Sequence, residues 1–328
     1  MERTKSGTKR RNDRKNYNVR IGLIDVDGHN YPNLPLMKIS AYHKSQGDHV
    51  EWYEPMFSGH MDKVYMSKVF SFTPDYEYCI DADEIIKGGT GYAIFLGGGR
   101  EQYDKTKDKP LPDEVEHIYP DYSLYPEYTK DTAYGFLTRG CPRGCGFCHV
   151  AAKEGKCSYK VADLSEFWRG QKNIVLCDPN ILACKDHIEL LQQLADSKAT
   201  VNFNQGLDIR LITDKNLELL KQIKLDHIHF AFDRWQDKDI IEPRLRKFIK
   251  ETGYSRGKGR VLVYILCNYD TTIEQDMYRI QLCRELNISP YPMIYDKEHA
   301  DPIYRKIQRW CNNIVFWSVP RFEDYAYK

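Results

Sequence analysis

The hydrophobic positions of this chain fall into two patterns that alternate along most of its length. Short apolar runs bounded by Gly, Pro, Asn or Asp predict buried strands. Segments with apolar residues three and four positions apart predict helices with one buried face. After Thr213, for example, Leu217, Leu219, Leu220 and Ile223 form such a face. The alternation predicts an α/β protein.

The first hundred residues predict a small sheet. A buried strand over 19–26 is followed by an amphipathic helix that runs from Pro32 to Gly47. Further strands are predicted at 49–53, 64–72 and 84–86. This order is typical of a doubly wound Rossmann-like domain, which carries helices on both faces of a parallel sheet.

Beyond residue 131 the strand and helix patterns alternate six times. Strands are predicted at 133–137, 173–178, 200–204, 227–233, 260–267 and 291–295. Helices are predicted to begin near Ala162, Ala183, Asp214, Lys238, Thr272 and Pro302. Because βα units are right-handed and lay parallel strands side by side, they predict either an open sheet or a partial (βα)6 barrel.

These patterns divide the chain into five segments. We expect a basic flexible arm over 1–18, the Rossmann-like domain over 19–100, and a linker rich in Pro and Tyr over 101–131. The partial barrel is expected over 132–298. A C-terminal helix and aromatic tail over 299–328 either close the open end of the barrel or line a substrate cavity.

The composition limits the classes of partner and site that the chain is expected to have. The 48 Lys and Arg nearly balance the 47 Asp and Glu, giving a net charge of +1, so nucleic acid is a possible partner only of the basic arm. No apolar run approaches the roughly 20 residues that span a bilayer, so no membrane contact is expected. The N-terminus has no apolar leader segment, and we expect a cytoplasmic protein. In that reducing compartment, clustered Cys favour a metal site or catalysis.

Three of the ten cysteines stand close together after the first strand of the second half. Cys141, Cys145 and Cys148 form a CxxxCxxC pattern in a segment with three interspersed glycines. Glycine lets the backbone curl tightly, and Cys thiolates are the usual ligands of iron-sulfur clusters. A zinc ion with Cys157 as a fourth thiolate is the alternative. In that case the chain is a metal-stabilised binding protein that contacts nucleic acid through its basic arm.

The Cys spacing, the aromatic Phe147 before the third Cys, and the position after the first strand of a βα series resemble the radical S-adenosylmethionine (SAM) superfamily. The resemblance implies a [4Fe-4S] cluster on Cys141, Cys145 and Cys148, with the amino and carboxylate groups of SAM on the fourth iron and Phe147 beside the cofactors. It implies an external electron donor of flavodoxin or ferredoxin type. Reductive cleavage of SAM then yields a 5′-deoxyadenosyl radical that abstracts hydrogen from a substrate, which the sequence does not identify.

The resemblance also assigns polar residues at the strand ends to a SAM pocket. Asp178 and Asn180 occupy the segment that meets the SAM amino group in the family, where Gly-Gly-Glu is more usual; a turn with a helix cap is the other interpretation. Arg210 is expected to pair with the SAM carboxylate or with a carboxylate on a helix. Asp233 and Asn268 are expected near the ribose hydroxyls or as loop caps.

The loop from Asp27 to Pro32 is similar to the Asp-x-His-x-x-Gly loop of cobalamin-binding domains, in which the His is the lower cobalt ligand. The segment 88–91, Gly-Gly-Thr-Gly, similarly resembles their second Gly-rich loop. His29 matches the family's His, but Pro32 stands at the position of the Gly. Because Pro lacks an amide and fixes φ, we expect a cobalamin-binding-like domain that does not bind cobalamin.

Overall fold

The structure is a computed structural model that describes residues 19–97, 100–258, 260–312 and 314–326. The predicted arm over 1–18 therefore lies outside the described residues. The chain divides into two compact units, Met1–Tyr92 with Lys109–Asp121, and Ala93–Asp108 with Tyr122–Lys328. The segment predicted as a linker, 101–131, supplies residues to each unit.

The first unit is built on a parallel sheet. Strands β1 to β4 are Arg20–Asp25, His49–Trp52, Met61–Ser67 and Ala82–Gly88. They pair in the order β2-β1-β3-β4. Helices α1 to α3 are Leu34–Ser45, Thr90–Ala93 and Asp113–Glu116. The side chain of Asn33 accepts a hydrogen bond from the amide of Leu36 and so caps α1.

The parallel strands confirm the predicted α/β class, and the doubly wound arrangement of this domain stays a prediction. Within the described part of this unit, α1 is the only α-helix longer than about one turn, and the connections 53–60 and 68–81 contain none. The sequence predicts no helix in these connections either, because they have Pro and Gly but no apolar period of three to four residues. Strand β3 also ends at Ser67 instead of Phe72.

The second unit contains the longer βα series. Strands β5 to β9 are Ile94–Gly97, Arg100–Tyr103, Thr132–Gly135, Thr138–Arg139 and Tyr159–Lys160. Strands β10 to β14 are Asn173–Leu176, Thr200–Leu207, Lys224–Ala231, Val261–Cys267 and Ser289–Ile294. Six of them form a parallel sheet in the order β14-β13-β12-β11-β10-β7. Consecutive order is what a series of βα units produces.

Helices connect these strands. Helices α4 to α7 are Pro126–Thr129, Val150–Lys153, His187–Ser197 and Asp214–Gln222. Helices α8 to α11 are Lys238–Thr252, Ile273–Glu285, Ile303–Cys311 and Val315–Ser318. None of the helices in the described ranges combines the length and apolar character needed to cross a bilayer.

Five of the six helices predicted in the second unit are found, as α6 to α10. The helix predicted near Ala162 is wrong, because Leu164–Glu166 forms a single 3-10 turn. Gly170, at a φ of +95°, and the start of β10 at Asn173 leave no room for a longer helix.

The helices cover one face of the large sheet. Strand residues that point toward them, such as Ile174, Val201 and Ile228, are completely buried. The ring of Phe230 on β12 meets that of Phe248 on α8 edge to face, with centroids 4.9 Å apart. Because the strands are parallel, their carboxyl ends all lie at one edge, and the loops that follow them are brought together there.

Candidate functional site

The three cysteines of the CxxxCxxC pattern lie on a loop that the antiparallel pair β8–β9 closes at its base. The amide of Cys141 donates to the carbonyl of Gly155 at 3.1 Å. Gly140 has a φ of +80°, and a Cβ at this position would lie 2.1 Å from the carbonyl oxygen of Cys157. Both facts restrict the position to glycine. The two sides of the loop can therefore approach each other closely.

The three thiols lie within electrostatic reach of one another. Burial raises the pKa of Cys145, and Cys141 adds to this rise. Burial likewise raises the pKa of Cys148, with contributions from Cys145 and Cys141. No three His, Cys, Asp or Glu side chains in the described ranges meet closely enough to hold one metal ion. In a four-iron cluster each thiolate binds a different iron, so this donor set of three free thiols on one loop fits such a cluster.

Asp178, which follows β10, fixes the start of this loop. Its carboxylate accepts hydrogen bonds from the amides of Leu137 at 3.1 Å and Thr138 at 2.5 Å, and from the hydroxyl of Thr138 at 2.7 Å. Burial raises the pKa of Asp178 to about 6, although these donors act in the opposite direction. Both oxygens are thus engaged within the protein, and the structure gives Asp178 a positioning role. A direct contact with SAM stays a prediction.

Asn180 contacts the cysteine loop directly. Its Nδ2 lies 3.5 Å from the Sγ of Cys141. Its Oδ1 is buried and, among the residues described, accepts no hydrogen bond. A buried carbonyl oxygen without a donor is unfavourable by about 1–3 kcal/mol. This atom is therefore available to a donor that the protein does not itself supply.

A chain of four alternating charges connects the cysteine loop to the ends of β11 and β12. Arg143 on the loop and Arg210 after β11 both contact Asp208, each through Nε at 2.7 Å. Arg210 also pairs with Asp237, which precedes α8. Burial alone would raise the pKa of Asp208, but the two guanidinium groups hold it below its usual value. The sequence predicted that Arg210 pairs either with the SAM carboxylate or with a carboxylate on a helix. The structure shows a pair of the second kind, with Asp237.

Asp233 and Asn268 lie where β12 and β13 end. The Oδ1 of Asp233 accepts a hydrogen bond from the amide of Leu266 at 3.0 Å, while its Oδ2 has no hydrogen-bond partner in the described part of the chain. Burial raises the pKa of Asp233 to about 6. Asn268 has a φ of +65°, and its side-chain amide donates to the carbonyl of Tyr295 at 3.0 Å. Asn268 therefore stabilises a turn, whereas Asp233 keeps one carboxylate oxygen that can accept a hydrogen bond from a ligand.

A cavity of about 250 Å³ opens beside Cys145. Its walls come from the cysteine loop and from the ends of β12 and β13, namely Gly144, Cys145, Gly146, Phe147, Arg234, Gln236, Tyr269 and Asp270. The rings of Phe147 and Tyr269 meet edge to face with centroids 4.9 Å apart. The cavity therefore has an aromatic wall next to the cysteine loop.

Several residues of this site were not predicted from the sequence. Tyr269, Arg234 and Gln236 line the cavity, and Arg143 and Asp237 belong to the charge chain. The signal that could have found the cavity residues is their position, because each follows the carboxyl end of a strand. Nothing in the local sequence indicates the ion pairs, since Arg143 and Asp208 are 65 residues apart.

In the first unit, the loop that resembles a cobalamin motif is held by other contacts. The carboxylate of Asp27 accepts hydrogen bonds from the amide of Val69 at 2.5 Å and the hydroxyl of Thr73 at 2.6 Å. The ring of His29 lies against that of Trp52, with centroids 4.2 Å apart. Pro32 offers no amide where the motif has Gly. All of these contacts lie within the first unit, and the absence of cobalamin binding stays a prediction.

No protein-family model and no curated protein matches this chain. Among solved structures, it is similar to the crystal structure of Streptococcus suis SuiB bound to S-adenosylmethionine, with a TM-score of 0.41, 15% identity, and coverage of 58% of this chain and 48% of that chain. It is also similar to SuiB bound to its precursor peptide SuiA, with a TM-score of 0.40, 13% identity, and coverage of 68% and 55%. This chain spans about half the length of these structures.

Proposed function

We propose that this chain is a radical SAM enzyme whose substrate is still to be identified. The observation that carries the proposal is the position of the CxxxCxxC loop. It follows the first strand of six consecutive parallel strands, and an open cavity lies directly beside its second cysteine. Ligands of open α/β sheets bind at this edge of the strands.

In this proposal Cys141, Cys145 and Cys148 hold a [4Fe-4S] cluster. When bound, such a cluster supplies the electron that cleaves SAM reductively and so generates a 5′-deoxyadenosyl radical. The protein's part is to keep the three thiols on one rigid loop. Asp178 holds the start of this loop, and Glu154 accepts a hydrogen bond from the amide of Gly140 at 3.0 Å. Electrons are proposed to come from an external donor of flavodoxin or ferredoxin type.

SAM is proposed to occupy the cavity beside Cys145. The unpartnered Oδ1 of Asn180 suits the amino group of SAM, because an ammonium is a strong donor. The Oδ2 of Asp233 suits a ribose hydroxyl. Arg210 already pairs with two carboxylates, so Arg234, which forms no ion pair within the described ranges and lies on the cavity wall, is the better candidate for the SAM carboxylate. Phe147 and Tyr269 supply apolar surface for the adenosine.

We further propose that residues 19–100 form a cobalamin-like domain that does not hold cobalamin. Pro32 and the packing of His29 on Trp52 support this assignment. The function would then depend on SAM and the iron-sulfur cluster alone.

Anaerobic purification with metal analysis tests the proposal. We expect a brown protein with about four iron and four sulfide per chain, whose electron paramagnetic resonance spectrum changes on addition of SAM. A colourless protein that holds zinc would contradict the proposal and favour the metal-stabilised binding protein.

A further inference from the structure

Helix α9 carries an ion pair that is completely buried. Asp276 and Arg279 each have 0% exposure, and a guanidinium nitrogen of Arg279 donates to Oδ1 of Asp276. The Nε of Arg279 is also buried and makes no hydrogen bond within the described residues. Burial of a charged group with an unsatisfied N–H lowers the stability of the fold. The presence of the pair is therefore better explained by a role other than stabilisation.

The hydrogen bonds that the pair makes with the backbone go to the carboxyl ends of two strands, and the hydroxyl of Tyr304 on α10 is a further hydrogen-bond partner of Asp276. Arg279 donates to the carbonyl of Phe232 at 2.5 Å and to that of Leu266 at 3.0 Å. The Oδ2 of Asp276 accepts a hydrogen bond from the amide of Asn268 at 3.0 Å. One ion pair therefore fixes the backbone at the end of β12 and at two points at the end of β13.

These backbone positions lead directly into the cavity. Phe232 immediately precedes Asp233, and the amide of Leu266 donates to Asp233 at 3.0 Å. Asn268 immediately precedes Tyr269, which lines the cavity with Arg234. A shift of either strand end would therefore move the residues proposed to contact SAM.

We infer that Asp276 and Arg279 are positioning residues, which hold the ends of β12 and β13 so that Asp233, Arg234 and Tyr269 face a SAM molecule in the cavity. The inference rests on the proposed function for the identity of the ligand. Guanidinium suits this task because its planar fork can donate to two carbonyls and a carboxylate at once, whereas an ammonium has no such fixed geometry. The charge of Arg279 also acts on the carboxylate of Asp233, where it opposes the rise in pKa that burial produces.

The test distinguishes a role in positioning the strand ends from a role in stabilising the fold. In the double variant Asp276→Leu/Arg279→Met both charges are removed together, so no unpaired buried charge remains and the fold is expected to persist. Arg279→Lys is the second variant, because it keeps the charge and loses the fork. The matched control is Leu282→Ala on the same helix, which removes a buried side chain of 2% exposure and leaves the ion pair in place.

Two quantities are measured on each protein besides its melting temperature. The first is the dissociation constant for SAM of the chain reconstituted with iron and sulfide, by equilibrium dialysis. The second is hydrogen exchange at residues 264–270 of the metal-free chain, which requires no ligand. We expect both Arg279 variants to bind SAM at least tenfold more weakly and to exchange the Leu266 amide at least tenfold faster. Leu282→Ala should lower the melting temperature without either change.

Wild-type affinity and wild-type exchange in Arg279→Lys or in the double variant would overturn the inference. Equal losses in Leu282→Ala would overturn it as well, because they would reduce the effect to general destabilisation. If the wild-type chain itself binds no SAM, the proposed function fails, and the exchange measurement still decides whether the ion pair holds the strand ends.

Discussion

Asp178 and Asn180 show how two neighbouring polar residues take different roles. The carboxylate of Asp178 is surrounded by N–H and O–H donors from the first residues of the cysteine loop. Asn180 instead has a buried carbonyl oxygen that no donor in the described residues satisfies. The first residue therefore organises the loop, and the second is free to bind a ligand.

Replacement of Asn180 by Ala should weaken SAM binding and leave the iron content unchanged. A lost hydrogen bond to a charged group corresponds to about 1.5–3 kcal/mol, or roughly tenfold to a hundredfold in the dissociation constant. Asn202→Ala is the matched control, because it removes another buried and unpartnered Oδ1 on β11. Equilibrium dialysis should show normal SAM affinity in the control. Equal affinity in both variants would exclude Asn180 from the pocket.

The buried carboxyl of Asp178 should also give a pH dependence of stability. Its pKa is raised to about 6 from an ordinary value of 3.8. Between these values the folded chain binds a proton that the unfolded chain has lost, so the contribution of Asp178 to the free energy of unfolding falls as pH rises. We compare the free energies of unfolding in urea of the metal-free wild type and of Asp178→Asn. The stability of the wild type relative to the variant should decline by roughly 2 kcal/mol from pH 4 to 6 and be constant above pH 7. A difference that does not vary between pH 4 and 7 would contradict the assignment.

At the scale of elements, the cysteine loop depends on close approach of its two sides. Gly140 combines a φ of +80° with a Cβ position that the carbonyl of Cys157 already occupies. Gly144, on the same loop, has a φ of +57° and nothing within 4 Å of its Cβ position. The two glycines therefore differ in the space around them more than in their backbone conformation.

Gly140→Ala should displace the loop and reduce the iron retained after anaerobic reconstitution to a small fraction of the wild-type value. Gly144→Ala carries only the strain of a left-handed alanine, of the order of 1–2 kcal/mol, and should keep its iron. Iron analysis after gel filtration compares the two. Full iron retention by Gly140→Ala would show that the loop does not need this close approach.

The elements that the sequence predicted well are those with a strong local pattern. The βα period identified five of the six helices in the second unit because each has an apolar face against the sheet, as Leu217 and Leu220 do on α7. The pattern failed near Ala162, where Gly170 and the nearby β10 limit the segment to one turn. In the first unit the pattern predicted one helix from Pro32 to Gly47, which is found as α1.

The candidate site was only partly predictable for the same reason. The three cysteines form a recognisable pattern, since they lie close together in the sequence. The partners of Arg210 depend on which distant carboxylates the fold brings near, and Asp237 is 27 residues away. The cavity combines the cysteine loop with Tyr269, which lies more than a hundred residues further along the chain. Such pairs follow from the sheet order and not from local spacing.

At the scale of the whole molecule, we expect the second unit to bind cofactors and the first unit to bind none. Its Asp27 binds a neighbouring loop, and its His29 packs on Trp52. Incubation with hydroxocobalamin followed by gel filtration should therefore leave no corrinoid on the full chain, and His29→Ala should not alter SAM cleavage. Stoichiometric retention of cobalamin that is lost in His29→Ala would contradict this account and make methyl transfer the leading function.

Reductive cleavage of SAM by the anaerobically reconstituted chain tests the central claim most directly. With dithionite as the reductant, the wild type should form 5′-deoxyadenosine and methionine, detected by chromatography and mass spectrometry. Ala variants of Cys141, Cys145 and Cys148 should lose both the iron and the products. Cys157→Ala should retain both, because this thiol lies outside the CxxxCxxC pattern and is exposed. Full iron loading in Cys145→Ala, or a wild type that carries its cluster and forms no 5′-deoxyadenosine, would contradict the claim.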